Sequence, residues 1–141
     1  MAISVGDKLP DIKLVKATPD GPEAVQSSDF FAGKKVALFA VPGAFTPTCS
    51  AKHLPGYIEK MDELKAAGVD EVACTSVNDA FVLGAWSKSN DASAISMLAD
   101  GNAEFASALG LDADFEGFGM GTRSQRYSMI VEDGVVKELN V

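Results

Sequence analysis

The run Val36-Ala37-Leu38-Phe39-Ala40-Val41 carries no polar side chain, and it constrains the fold more than any other stretch of the chain. A strand with one wet face alternates apolar and polar residues. An unbroken apolar run instead fits a strand covered on both faces, as in the middle of a parallel sheet. Pro42-Gly43 ends it, since proline has no N–H for the ladder and glycine admits turn conformations. Thr46 or Thr48 then offers a cap for a helix starting near Cys49. Leu54, Ile58, Met61 and Leu64 recur at helical spacing with charged residues between them. Pro55 predicts a kink in that helix, and Gly68 a C-terminal stop.

The flanking segments fill out the pattern. Val5 to Asp11 reads as an entry loop, Ile12 to Ala17 as a weak strand, and Thr18-Pro19-Asp20-Gly21-Pro22 as a turn. Val25 to Phe31 predicts a short helix capped by Ser27 or Ser28, closed at Gly33. Val72 to Val77 predicts a second buried strand. Asn78-Asp79 then caps a helix over 80–87 carrying Phe81, Leu83 and Trp86. Asn90-Asp91 predicts a turn and Ile95 to Ala99 a third strand. Asp100 or Asn102 opens a short helix containing Phe105 and Leu109, and Gly110 to Thr122 reads as a glycine-rich loop. Tyr127 to Val131 and Val135 to Leu139 flank Asp133-Gly134, a strong two-residue hairpin signal. Repeated β-α units followed by an antiparallel pair predict one α/β domain, a central mixed sheet flanked by helices with a C-terminal β-hairpin.

Composition narrows the function classes. A chain of 141 residues, 47 % hydrophobic, buries roughly two-thirds of its unfolded surface as one domain. A net charge of −8 argues against a nucleic-acid partner. No apolar run approaches the ~20 residues of a membrane span, so no membrane partner is expected. The first residues lack the basic head and apolar core of a signal peptide. Together these features predict a cytoplasmic protein. Cys49 and Cys74 form neither a Cys-x-x-Cys pair nor a metal set, and a reducing compartment disfavours a structural disulfide.

Ligands of open α/β sheets bind beyond the carboxyl ends of strands, where the loop Pro42 to Thr48 falls. A cysteine in the first turn of the following helix gains from unpaired N–H groups and the helix dipole, which lower its pKa from about 8.5. Position alone leaves two readings for Cys49, a reactive thiolate or a small buried hydrophobe.

The residues themselves break the tie. Pro42-Gly43-Ala44-Phe45-Thr46-Pro47-Thr48-Cys49-Ser50, with His53-Leu54-Pro55-Gly56-Tyr57 behind it, resembles the active-site segment of the type II peroxiredoxins. The likeness continues through Ser76-Val77-Asn78-Asp79, Phe81-Val82, Ala85-Trp86 and Leu98-Ala99-Asp100-Gly101. It closes with residues 121–129 and Val131-Glu132-Asp133-Gly134-Val135-Val136, and so covers nearly the whole chain.

The resemblance implies a thioredoxin-like fold over residues 1–141 and peroxide reduction without a cofactor. Cys49 would attack the peroxide and become a sulfenic acid. Thr46 would hold thiolate and peroxide oxygen, and Pro42 would shield the sulfenic acid. An arginine would keep the sulfur ionised and stabilise the leaving oxygen. The family position, directly before an aromatic at the start of a strand, maps onto Arg126 beside Tyr127. Arg123 is the competitor, otherwise read as a solvated side chain. His53, four positions after Cys49, is assigned a structural or pocket role rather than that of a base.

Cys74 is the candidate resolving cysteine, since plant members of the group carry a second cysteine at this spacing. Its mid-strand position sets it ~10 Å along the sheet from the strand end. A disulfide requires Cα atoms within ~7 Å, so direct pairing requires unwinding. A one-cysteine cycle is expected instead, with glutathione, glutaredoxin or thioredoxin attacking the sulfenic acid. The resemblance also implies a homodimer, with Phe45 and the loop near Phe115 to Phe118 at its interface. Family members continue past the last strand with another helix, and this chain ends at Val141 without it, so one sheet face is expected to be bare. Gly117-x-Gly119-x-Gly121 lacks dinucleotide spacing and reads as a flexible loop. Trp86 and Phe105 read as core. Two rivals remain on paper. A silent binding module would lack Thr46, Cys49 or the arginine, and a thiol-disulfide oxidoreductase would need a cysteine at position 46.

Overall fold

The computed structural model describes residues 2–46 and 54–141. Its strands are β1 (Lys13–Thr18), β2 (Gly21–Gln26), β3 (Lys35–Ala40), β4 (Glu71–Ser76), β5 (Ser96–Ala99), β6 (Asp112–Asp114), β7 (Thr122–Ser124), β8 (Tyr127–Glu132) and β9 (Val135–Asn140). Helices are α1 (Ser27–Phe31), α2 (Leu54–Glu59), α3 (Met61–Ala66), α4 (Ala80–Ser89) and α5 (Glu104–Leu109). Seven strands form one sheet in the order β2-β1-β5-β4-β3-β8-β9. The β5–β4 and β4–β3 pairs are parallel, and the others are antiparallel.

The apolar run Val36 to Val41 does sit at the centre. β3 pairs with β4 on one side and β8 on the other, and every residue from Val36 to Val41 is buried. Alternation along the strands divides the core in two. On one face Phe39, Cys74 and Met97 meet Leu54, Met61, Leu83 and Trp86 from α2, α3 and α4. On the other, Leu38, Ala40, Ala73 and Leu98 meet Phe31, Phe105 and Leu109 from α1 and α5. Each fully buried Leu or Phe contributes about 2 kcal/mol of transfer free energy, so the two layers fix which face each strand presents. Trp86 and Phe105 are core residues, as expected.

Local chemistry explains the hairpins and caps. Asp133 and Gly134 both take positive φ, 48° and 79°, as the tight turn between β8 and β9 demands. The Asp79 carboxylate caps α4 by accepting from the Val82 amide at 2.8 Å. Asp100 serves α5 from farther back, accepting from the Phe105 and Ala106 amides at 3.0 and 2.9 Å.

Several expectations require correction. The segment read as turn and helix over 18–31 is a tight turn followed by strand β2, and α1 begins only at Ser27. Pairing with β1 along its whole length outweighs the weak helix propensity of so short a segment. Ser27 does not cap α1. Its hydroxyl donates to the Pro10 carbonyl at 2.6 Å and accepts from the Ile12 amide at 2.8 Å, pinning the entry loop to the sheet. The glycine-rich stretch after Gly110 is ordered as the β6–β7 pair, with a 3-10 turn, Glu116–Phe118, between the strands. In the helix after the central strand, a break is described at Lys60, where α2 hands over to α3. The residues against which a kink at Pro55 would form lie outside the described residues.

Candidate active site

The carboxyl end of β3 runs straight into the loop 42–46. The Val41 amide still donates to the Thr75 carbonyl of β4 at 3.2 Å, and then the chain turns away. Gly43 to Thr46 closes a tight turn. The Thr46 hydroxyl donates to the Gly43 carbonyl at 2.7 Å, and the Thr46 amide approaches the same oxygen at 3.4 Å. Phe45 occupies the left-handed region at φ 63°, a conformation that costs a non-glycine residue roughly 1–2 kcal/mol. Its ring is 53 % exposed. That strain is held just beyond the carboxyl end of β3, the place where open α/β sheets bind ligands.

Two side chains from distant elements hold this turn. From the β4–α4 connection, Asn78 Oδ1 accepts from the Ala44 amide at 3.0 Å and from the Ser76 hydroxyl at 2.6 Å. From β7, Arg123 Nη1 donates to the Pro42 carbonyl at 3.3 Å, while its Nε donates to the Met120 carbonyl at 3.0 Å. Arg123 is therefore half-buried and engaged, not the solvated side chain expected for it. Gly43 is what permits the approach. A Cβ there would stand 3.0 Å from Arg123 Nη1, 3.1 Å from Thr46 Cγ2 and 3.3 Å from Met120 Cε.

Arg126 behaves differently. Tyr127 pairs with Ala40, so Arg126 lies level with the point where β3 gives way to Pro42. Tyr127 belongs to the α5 face and Ser128 pairs with Phe39, so alternation turns Arg126 toward the α2 face. Its Nη1 is buried with no hydrogen-bond partner among the described residues. A buried guanidinium N–H without an acceptor is a ready donor to an anion or to an oxygen gaining charge.

Beneath the loop, Phe39 stacks on Tyr57 of α2 at 3.9 Å, with the rings within 3° of parallel. Burial pushes the Tyr57 phenol up, the Ser128 hydroxyl pulls it back, and Cys74 adds to the rise. Burial, with Asp100 and then Cys74 nearby, drives Tyr127 well above the ordinary phenol range. Cys74 is fully buried mid-strand in β4, paired with Phe39 on one side and Met97 on the other. That agrees with the mid-strand position read from sequence.

Of the predicted site residues, Pro42, Thr46 and Arg126 are thus gathered at the end of β3, with Cys74 deeper on the α2 face. Cys49 and His53 lie outside the described residues. Among the described residues, no group of three or more His, Cys, Asp or Glu side chains could hold a metal. No described helix is long and apolar enough to cross a membrane. Sequence reasoning missed Asn78 and Ser76, and misjudged Arg123. The signals for Asn78 and Ser76 were the resemblance over Ser76-Val77-Asn78-Asp79, which gave neither a site role, and the place of Asn78 just past the carboxyl end of a buried strand.

Comparison with known proteins fits this geometry. The family described as Redoxin matches residues 4–141. The chain is 54 % identical to chloroplastic Peroxiredoxin-2E-2 of Oryza sativa subsp. japonica, over 99 % of this chain and 64 % of that one. It therefore spans somewhat under two-thirds of that relative's length. It is 46 % identical to Peroxiredoxin-2B of Arabidopsis thaliana, over 99 % of this chain and 87 % of that one. Among solved structures it resembles reduced Prx3 of Vibrio vulnificus in complex with H2O2, with TM-score 0.95 and 57 % identity over 99 % of this chain and 87 % of that one.

Proposed function

The chain belongs to the redoxin family, among the type II peroxiredoxins, and on that footing we propose that it is a thiol-dependent peroxidase with Cys49 as nucleophile. The observation that carries this reading is the buried Nη1 of Arg126 at the end of β3, which has no hydrogen-bond partner among the described residues. The Cys49 thiolate attacks one peroxide oxygen. An S–O bond forms as the O–O bond breaks, and the departing alkoxide or hydroxide takes up a proton. Sulfur is oxidised by two electrons to the sulfenic acid and the peroxide is reduced by two. Arg126 holds the thiolate charged and meets the charge growing on the leaving oxygen. Thr46, whose hydroxyl donates to Gly43 in the resting loop, rotates to hold sulfur and oxygen together. Pro42 covers the sulfenic acid.

Recycling needs a thiol. A reductant thiol attacks the sulfenic sulfur and releases water, and a second thiol resolves the mixed disulfide. Cys74 is buried beneath Tyr57 and Leu54, which favours an external reductant, glutaredoxin with glutathione or thioredoxin, over Cys74. Peroxide consumption coupled to each reductant, with wild type and Cys74→Ser, tests this. A prompt and quantitative Cys49–Cys74 disulfide, seen as a loss of two protons by non-reducing mass spectrometry, overturns the one-cysteine cycle. Failure of Cys49→Ser to abolish peroxide consumption overturns the peroxidase reading itself.

A homodimer is part of this reading. Phe45 and Phe118 are exposed, Phe118 at 80 %, and Phe115 lies 6.4 Å from Phe118 ring to ring. Isolated surface apolar residues are ordinary, but the exposed Phe45 of the 42–46 loop and the Phe115–Phe118 pair between β6 and β7 suit a partner. Sedimentation of wild type against Phe118→Glu decides it, with a monomeric wild type sinking the idea. A cytoplasmic location completes the proposal, and fractionation is its test, since two relatives bear chloroplastic names.

A further inference from the structure

Arg123 is bound at both ends of its guanidinium and is near the site without being spare. Nε is fixed to the Met120 carbonyl and Nη1 to the Pro42 carbonyl. The same Met120 extends its Cε toward Gly43, and the Gly43 backbone lies so close to Arg123 that a Cβ there would stand 3.0 Å from Nη1 and force the side chain to shift. Across the loop, Asn78 Oδ1 takes the Ala44 amide and is itself fixed by the Ser76 hydroxyl. The peptide stretch Pro42–Ala44 is thus gripped on its carbonyl side by β7 and on its amide side by the β4–α4 connection. Gly43 stands between the two grips, and just beyond them come the strained Phe45 and the Thr46 hydroxyl.

Resting on the peroxidase reading, we infer that Arg123 and Asn78 are positioning residues, a two-sided clamp that fixes the loop carrying Pro42 and Thr46 for the reaction. Neither touches peroxide. Arg123 acts through the Pro42 carbonyl and Asn78 through the Ala44 amide, and Gly43 is the surface on which the clamp closes. A hydrogen-bond fork does this and a point charge does not, so lysine cannot replace Arg123. Loss of orientation of about 1 Å lowers a rate by roughly 10²-fold, which sets the scale of effect.

The test uses the 141-residue chain and four variants, Arg123→Ala, Arg123→Lys, Asn78→Ala and Gly43→Ala, with thermal unfolding as a check on folding. Stopped-flow measurement with hydrogen peroxide should show the rate constant falling about 10- to 100-fold in Arg123→Ala. Arg123→Lys should fall as far, and rescue to the wild-type rate by lysine would assign Arg123 to charge and overturn the clamp. Gly43→Ala should reproduce the loss by displacing the guanidinium. The double variant Gly43→Ala/Arg123→Ala should lose no more than Arg123→Ala alone, whereas multiplied losses would mean independent roles. Amide exchange at Ala44, read by NMR, should quicken in Asn78→Ala and in Arg123→Ala. Unchanged exchange in both overturns the clamp whatever the kinetics show. That readout does not involve peroxide, so it separates failure of the clamp from failure of the peroxidase reading, which Cys49→Ser reports.

Discussion

The two ends of the central strands β3 and β4 are built to opposite rules. At the amino end, polar groups are paired with one another. Lys34 Nζ meets Glu71 Oε1 at 2.7 Å and lies 4.1 Å from the Phe30 ring centroid. Ser96 donates to the other Glu71 oxygen. Asp70 accepts from the Lys35 amide at 2.8 Å, and Asp133 from Gly33 at 2.7 Å. At the carboxyl end, Arg126 Nη1, Thr75 Oγ1 and Tyr127 OH are buried without hydrogen-bond partners among the described residues. Leaving a buried polar group unpaired costs about 1–3 kcal/mol. One end is spent on stability, and the other keeps donors open beside the loop that leads to Cys49.

The sharpest way to break that contrast is Arg126→Ala. Removing a preorganised donor to developing charge lowers the peroxide rate constant by about 10²–10³-fold. The same change at Arg123 acts by position and is milder. Intact peroxide kinetics in Arg126→Ala, with activity destroyed in Arg123→Ala, would reverse the two assignments.

Asp100→Ala probes a carboxylate at the open end whose two oxygens are both engaged. Its loss strips acceptors from the buried Phe105 and Ala106 amides and should cost about 2 kcal/mol in denaturant unfolding. A change under a few tenths would mean that α5 needs no such cap. Tyr127→Phe goes the other way. Deleting the hydroxyl of a buried phenol without a described partner should raise stability by about 1 kcal/mol, and a loss of stability would reveal a partner.

Glu71→Gln, at the closed end, is the smallest effect, about 0.5 kcal/mol at neutral pH for a half-exposed pair. Glu71 is held below its ordinary 4.5 because Lys34 and Ser96 together outweigh the opposing effect of burial. A lowered carboxylate contributes stability above the unfolded value, and that contribution is lost as pH falls below 4.5 through the folded value. The difference between wild type and Glu71→Gln in unfolding midpoint should therefore be present at pH 7 and shrink toward pH 3. A constant difference would exclude ionisation as its cause.

Features governed by neighbouring residues were legible in the chain. Asp133-Gly134 demands a tight hairpin because both residues accept positive φ, and Asp79 caps a helix because its carboxylate reaches an amide three positions on. The central strand followed from the apolar run Val36 to Val41, since burial on both faces forbids alternation. Strand β2 and the β6–β7 pair were not legible. Gly21-Pro22-Glu23-Ala24 has little strand propensity, and only its partner β1 makes it extended.

The site divides in the same way. Sequence by itself determined the residue types, Pro42, Thr46, Cys49 and two arginines, because chemistry is carried by side chains that can be read off one by one. Only the tertiary structure decided where each arginine stands and what it touches. Arg123 and Pro42 stand 81 positions apart in the chain, and no local pattern encodes their contact. The Ala40–Tyr127 register lays Arg126 alongside the end of β3 with a nitrogen unpaired among the described residues, while the fold of β6–β7 brings Arg123 onto the Pro42 carbonyl and engages it. Hydrogen-bond satisfaction belongs to the packed chain, and among the described residues it is what separates Arg126, with a buried nitrogen unpaired, from Arg123, which is bonded to the loop.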